Sequence, residues 1–221
     1  MGKLEKDMML TYSQLGKMGR FGNQLFQIAS TIGIANTLGY SYAFPKWEYQ
    51  SYFTNPIPTI IDCNKAVSFI GYLQNYELFL DSEKSIRQYF TFKNEKEKTN
   101  KIFIHFRAYK KEGVTRFHPE MSTEYYTEAV KHFPNKEFIV FTDDITSAKK
   151  VIKLDCEFCC GNEIEDFKKM VSCEGGIICN SSYSWWAAWL GNGKVTIPNK
   201  WFSRIAPYKS DGYYVPNWIK I

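Results

Sequence analysis

An α/β fold built on a parallel, helix-covered sheet is what this sequence predicts, on three observations. Its 221 residues suffice to bury a core without disulfide or metal staples. From Ile102 onward, short apolar runs alternate with helical patterns of about ten residues, the rhythm of parallel strands joined by crossover helices. A charged, apolar-poor tract, "KNEKEKTNK" at 93–101, separates this regular part from a less regular amino-terminal part and reads as a solvated connection between lobes.

The elements follow in order. Leu25, Phe26, Ile28, Ala29, Ile32 and Ala35 recur at helical spacing and predict a helix with one buried face, starting near Asn23 and stopped by Gly39. Residues 55–92 mix prolines with a short strand-like run and a short helical pattern, and are expected to be irregular. Beyond the charged tract, "IFIHF" (102–106) predicts a strand, "STEYYTEAVKHF" (122–133) a helix and "FIVFT" (138–142) a strand. "SAKKVIKL" (147–154) reads as a helix, "EFCC" (157–160) as a short strand and "EIEDFKKMVSC" (163–173) as a helix. "GGIIC" (175–179) is then a strand, "SWWAAWL" (184–190) a helix and "KVTI" (194–197) the final strand.

Composition narrows the function. Lys and Arg exceed Asp and Glu by 28 to 23, a net charge of +5 that suits an anionic ligand but lacks the continuous basic stripe of a nucleic-acid binder. No apolar run approaches the ~20 residues of a membrane helix, and "MGKLEKDMML" opens without a secretory segment. The expectation is therefore a soluble, cytoplasmic protein of bacterial or viral type with reduced thiols. "CEFCC" at 156–160 contains metal-ligand residue types, but no second Cys/His pair stands at finger-like spacing, so buried strand cysteines are the preferred reading and no metal is expected.

In parallel sheets ligands bind beyond the carboxyl ends of the strands. His105 and Arg107 follow the first strand of the regular part, Asp143 and Asp144 the second, and Asn180, Ser181 and Ser182 follow "GGIIC". Arg107 offers a planar fork of donors to a phosphate, and the two serines stand where the next helix would point its free N–H groups. Together they describe a diphosphate pocket; singly, Ser181 reads equally as a helix cap and Arg107 as a surface ion-pair former. Asp166 reads either as a solvated helix residue beside Lys168 and Lys169 or as an acceptor for the two N–H donors on the edge of guanine. "TDD" at 142–144 lacks clear magnesium geometry, so a ribose or pocket-shaping role is favoured. In "GRFGNQLFQ" (19–27), Gly19 and Gly22 permit close approach of a ligand and Asn23 and Gln24 present polar tips at a helix start, or the stretch is a plain turn with an asparagine cap.

With these residues laid out, the chain resembles glycosyltransferase family 11, the alpha-1,2-fucosyltransferases, in the wider GDP-fucose-dependent superfamily. The resemblance rests on "GRFGNQLFQIA", "GYLQNYELF" (71–79), "IHFR", "FTDDI" and "EDFKKMVSCEGGIICNSSYSWWAAWL" (165–190), in that order. It implies a GT-B-like architecture of two Rossmann-type lobes with parallel sheets and a cleft between them. Residues 1–100 would form the amino-terminal, acceptor-side lobe and 101–221 the GDP-sugar-binding lobe. It further implies inverting, metal-independent transfer of fucose from GDP-fucose to a glycan acceptor, with no cofactor. The linkage would be alpha-1,2 to galactose or a similar sugar. Carried over by position, His105 and Asp166 would contact guanine, Arg107 and Ser182 the β-phosphate, and Asn23 the donor end near the acceptor. Arg107 and Asn23 are the catalytic candidates. The family's H-x-R-R-x-D block reads "HFRAYKK" here, with Ala108 at the second arginine and Lys110 at the aspartate, so that aspartate's role does not carry over. His118 and Glu77 are candidate bases or acceptor contacts, and Trp186 a candidate cleft residue. The alternatives are another linkage, a protein O-fucosyltransferase, or a non-catalytic GDP-sugar or glycan-binding module.

Overall fold

The computed structural model describes residues 8–113 and 115–221. The chain folds as two units, Met1–Glu95 and Lys96–Ile221, which part inside the charged tract.

In the first unit, β1 (Met9–Thr11) runs parallel to β2 (Ser41–Tyr42) on one side and β3 (Val67–Ser68) on the other. Between β1 and β2 lies α1 (Phe21–Leu38), closed by Gly39 in the left-handed region at φ 71°, whose N–H bonds back to the last carbonyls. This helix is buried nearly all round, not on one face, and several of its buried polar side chains donate to backbone carbonyls outside it. Gln24 donates to Gly19 O at 3.1 Å, Gln27 to Met18 O at 3.0 Å and Ser30 to Leu73 O at 2.8 Å. The stretch 55–92 holds β3, two 3-10 turns and α2 (Glu83–Tyr89). Around the start of α1, Trp47 stacks on Phe53 at 5.3 Å, with Phe21 and Phe90 packed against them.

The second unit carries β4 (Ile102–Phe106), α3 (Tyr109–Glu112), α4 (Thr123–Val130), β5 (Phe138–Thr142), α5 (Ile145–Val151) and β6 (Glu157–Cys159). After these come α6 (Glu163–Ser172), β7 (Gly175–Ile177), α7 (Ser182–Gly191), β8 (Lys194–Ile197) and β9 (Ile219–Lys220). "KVTI" is thus not the last strand. The sheet order is β6-β5-β4-β7-β8-β9, every pairing parallel. Counted from β4, that is the 3-2-1-4-5-6 order of a Rossmann sheet. Ile102, Ile104 and Phe106 face a core shared with Tyr125, Tyr126 and Ala129 of α4 and Ala148 of α5. Phe103 and His105 therefore point to the opposite face. A Cβ on Gly176 would stand 2.3 Å from the Phe103 ring, so only glycine lets β7 pair beside that phenylalanine.

The expectation of buried strand cysteines at 156–160 is corrected: Cys156 precedes β6, Cys156 and Cys159 are half-buried, and Cys160 is exposed. The reason is that β6 is an edge strand with one covered neighbour. No helix among the described residues is long and apolar enough to cross a membrane.

Candidate functional site

The chain order of the large sheet reverses between β4 and β7, which are neighbours although β5 and β6 intervene in sequence. Such a switch point is where open α/β sheets bind ligands. Ile104 pairs with Ile177, the last residue of β7, so the end of β4 with Arg107 and Ala108 after it, and the segment Ile178–Ser182, follow from neighbouring strands.

His105 is 5% exposed, with Nδ1 3.2 Å from Cys179 Sγ and its ring 5.5 Å from that of Tyr183. Burial pushes its pKa down to about 4, against an upward pull from Asp143, so the imidazole is neutral at physiological pH. Tyr183, in the first turn of α7, also packs edge-on to Phe167 of α6 at 5.2 Å and donates to Glu163 O. Asp166, one residue before Phe167, is buried; it accepts from Gly161 N–H at 2.8 Å and lies 3.8 Å from Lys169 Nζ. The Tyr183 phenol is raised by burial first and next by the Asp166 charge. His105 and Asp166, the two candidate base contacts, thus border the same tyrosine.

Arg107 is bracketed by carboxylates. One terminal nitrogen lies 3.0 Å from Asp143 and the other is hydrogen-bonded to Glu112 of α3. Burial works against its charge, and Asp143 and Glu112 more than restore it, so the pKa stands above the usual arginine value. Asp143 is itself anchored, accepting from Ala108 N–H at 2.9 Å. Asp144 caps α5 by accepting from Ser147 N–H at 3.2 Å and Ser147 Oγ at 2.9 Å, and it pairs with Lys111. Those contacts, Lys111 foremost, bring its carboxyl down to about 2. Lys110, at the position of the missing aspartate, reaches Glu120 at 3.2 Å.

The start of α7 differs from its neighbours. Ser122, Asp144 and Asn162 cap α4, α5 and α6 with side-chain hydrogen bonds, whereas Ser181 makes none to α7. Two half-buried serines, Ser181 and Ser182, stand at this helix start. Asn180 is 2% exposed and serves as a tie: its side-chain amide nitrogen donates to Pro119 O and Trp201 O, both at 2.9 Å, and its backbone carbonyl accepts from Tyr109 OH at 2.8 Å.

The remaining candidates divide between the units. His118 stacks on Tyr109 at 5.3 Å and lies 5.3 Å from the Phe202 ring; burial lowers its pKa, with Glu112 opposing. Trp186 is fully buried, which corrects its placement as a cleft residue, because α7 is apolar all round and is covered all round. Asn23, Gly22 and Glu77 belong to the first unit. Gly22 is buried in the first turn of α1, and Asn23 Oδ1 accepts from Gln74 Nε2 at 2.6 Å. A Cβ on Gly19, at φ 79°, would meet the Asn23 side chain at 2.6 Å, so glycine there makes room for Asn23. Glu77 is exposed, its N–H donating to Asn75 Oδ1 at 3.0 Å. Among the described residues no group of three or more His, Cys, Asp or Glu gathers to hold a metal.

Glu112, Cys179 and Tyr183 had drawn no attention in the sequence. Glu112 reaches Arg107 only because α3 turns the chain back, and Cys179 meets His105 only through strand pairing. Tyr183 alone had a signal, as the aromatic next to Ser182.

Residues 116–221 match the family model described as Glycosyl transferase family 11. An alpha-1,2-colitosyltransferase of Escherichia coli is 33% identical over 166 residues, covering 63% of this chain and 57% of that protein. The O-antigen biosynthesis glycosyltransferase WbnK of Escherichia coli is 31% identical over 102 residues, covering 40% and 34%. The chain spans about half the length of the curated relatives it matches. Among solved structures, E. coli heptosyltransferase WaaC with ADP-2-deoxy-2-fluoro heptose aligns at TM-score 0.53 and 10% identity over 97% of this chain and 93% of its own, a likeness of fold alone. At that level the expected GT-B-like architecture, two α/β units with parallel sheets, stands.

Proposed function

From a chain whose residues 116–221 match the model of glycosyl transferase family 11, we propose an inverting glycosyltransferase that moves fucose from GDP-fucose to a sugar hydroxyl, in alpha-1,2 linkage to galactose or a similar acceptor. One observation carries the reading: at the β4/β7 switch point, a half-buried arginine follows β4, and a helix with no side-chain N-cap bond follows the neighbouring strand β7. Arg107 and the first turn of α7, with the Ser181 and Ser182 hydroxyls, would hold the diphosphate. His105 and Asp166 would hold the guanine, and Asn23 is the candidate for the fucosyl end by its position in the family signature.

GDP departs only if its growing negative charge is met. In this reading Arg107 and the α7 N–H groups meet it, and leaving-group stabilisation dominates a loose displacement. Asp143 stays on Arg107, fixed by Ala108 N–H, while Glu112 gives way to the phosphate. The neutral His118 imidazole is the base candidate for the acceptor hydroxyl. Metal-independent, cofactor-free turnover belongs to the proposal; EDTA should leave the rate unchanged.

The test is GDP release from a panel of GDP-sugars, followed by linkage analysis of the product with galactose-terminated acceptors. Arg107→Ala is expected to lower turnover by about 10²–10³ while the chain stays folded by circular dichroism. Near-wild-type turnover in that variant would refute the diphosphate assignment. The relative named for colitosyl transfer favours a second reading, in which the transferred sugar is colitose; a GDP-fucose-inactive but folded protein would point there.

A further inference from the structure

Cys179 is 1% exposed and sits two residues beyond β7, facing a ring that is itself 5% exposed on β4. Its Sγ lies 3.2 Å from His105 Nδ1, so one of the two must donate to the other. Burial pushes the Cys179 thiol up to about 12, which keeps the S–H proton in place. Ser184 is the other polar neighbour of the thiol, and its own hydroxyl donates to Ser181 O at 3.3 Å. An imidazole nitrogen lone pair is a better acceptor than a sulfur, and S–H···N puts the proton on the better side of the contact.

We propose that Cys179 is a positioning residue that sets the tautomer of His105: its S–H donates to Nδ1, so the ring's proton resides on Nε2 and is presented as a donor to the bound base. Which nitrogen of a neutral imidazole carries the proton is fixed by the hydrogen bond that the other nitrogen makes. Nε2 has no protein hydrogen bond among the described residues, so it is left for a ligand. An Nε2–H donor suits an oxo or ring-nitrogen edge, as guanine offers, and rejects an amino group. A cysteine two residues beyond one strand would thus tune base recognition by a histidine on the next. The ligand half of this statement rests on the proposed GDP-sugar reading; the tautomer half does not.

The two halves are tested separately on the full chain. Two-bond 1H–15N correlation spectra report the tautomer directly, and the chain has 3 histidines, so His105 is assigned by its loss in His105→Gln. The wild-type ring is expected to show the Nε2–H pattern, Cys179→Ser to retain it, and Cys179→Val to convert it to a mixture. A wild-type Nδ1–H pattern overturns the proposal, as does a pattern identical in the wild type and both cysteine variants. Should Cys179→Val fail to fold, the wild-type and Cys179→Ser spectra still decide. In GDP titrations, Cys179→Val is expected to weaken binding about threefold to tenfold, and Cys179→Ser less than about twofold. A His105→Gln variant that binds GDP like the wild type removes the base-contact reading, while the spectra alone judge the tautomer.

Discussion

Two consecutive helices of the second unit, α6 and α7, have 10 residues each and are built on opposite plans. Helix α6 begins under Asn162, whose side chain accepts from Ile164 N–H at 3.0 Å and Glu165 N–H at 3.2 Å, and it carries three acidic residues in its first turn. It also keeps a charged outer face. Helix α7 has no side-chain cap, no charge in its first or last turn, and tryptophans 0–3% exposed at 185, 186 and 189. The first helix satisfies its own N-terminus and complements its own dipole. The second derives its stability from burial along its length and begins at the switch point without a side-chain cap. The tryptophans thus anchor α7, and on the proposed reading the serines at its start would meet the ligand.

That contrast can be broken most severely at the anchor. Trp185 donates from Nε1 to Tyr213 O at 2.7 Å and packs on Trp186, Trp189 and Trp218. Trp185→Ala is expected to cost about 3–5 kcal/mol in urea unfolding. Lys169→Ala, on the exposed face of α6, should stay within about 0.5 kcal/mol.

The next effect is on acid stability, through the ring that touches α7. In the unfolded chain His105 takes up its proton near 6.5, and in the folded chain only near 4. The neutral ring's contribution is therefore fully present above pH 6.5, is lost as pH falls from 6.5 to 4, and is constant below. The wild type should lose up to about 3 kcal/mol relative to His105→Gln across that window, read from paired denaturant titrations.

The capping difference is smaller and more specific. Asn162→Ala should destabilise by about 1 kcal/mol with the donor KM unchanged. Ser181→Ala should leave stability within about 0.5 kcal/mol and raise the donor KM about threefold to tenfold. A Ser181→Ala variant as destabilised as Asn162→Ala would make α7 an ordinary capped helix. The smallest shift concerns Glu112, the carboxylate that the phosphate would displace from Arg107. Glu112→Gln is expected to tighten GDP binding by at most about fivefold, measured calorimetrically.

Much of the second unit was legible in the sequence. "FIVFT" and "KVTI" lie within one residue of their strands, and the helices from 123 onward match within a few residues, because local periodicity and burial agree there. The carboxyl ends of those strands therefore marked Arg107, His105 and the two serines. Other parts were not legible. Helix α1 looked amphipathic because Gln24, Gln27 and Ser30 are polar letters, yet each is buried with a carbonyl to bond. Strand β9 is two residues long, too short for any period, and exists through its pairing with β8.

By itself, then, the sequence determined the α/β alternation, the stops and starts of the long elements, and which polar residues follow the strand ends, since these follow from neighbours a few residues apart. Tertiary structure alone decided that Trp186 is core, that Asn180 ties two loops, that Asp143 and Glu112 bracket Arg107, and that a cysteine 74 positions away meets His105. Those facts depend on which strand pairs with which, and strand pairing joins residues whose separation no local pattern records.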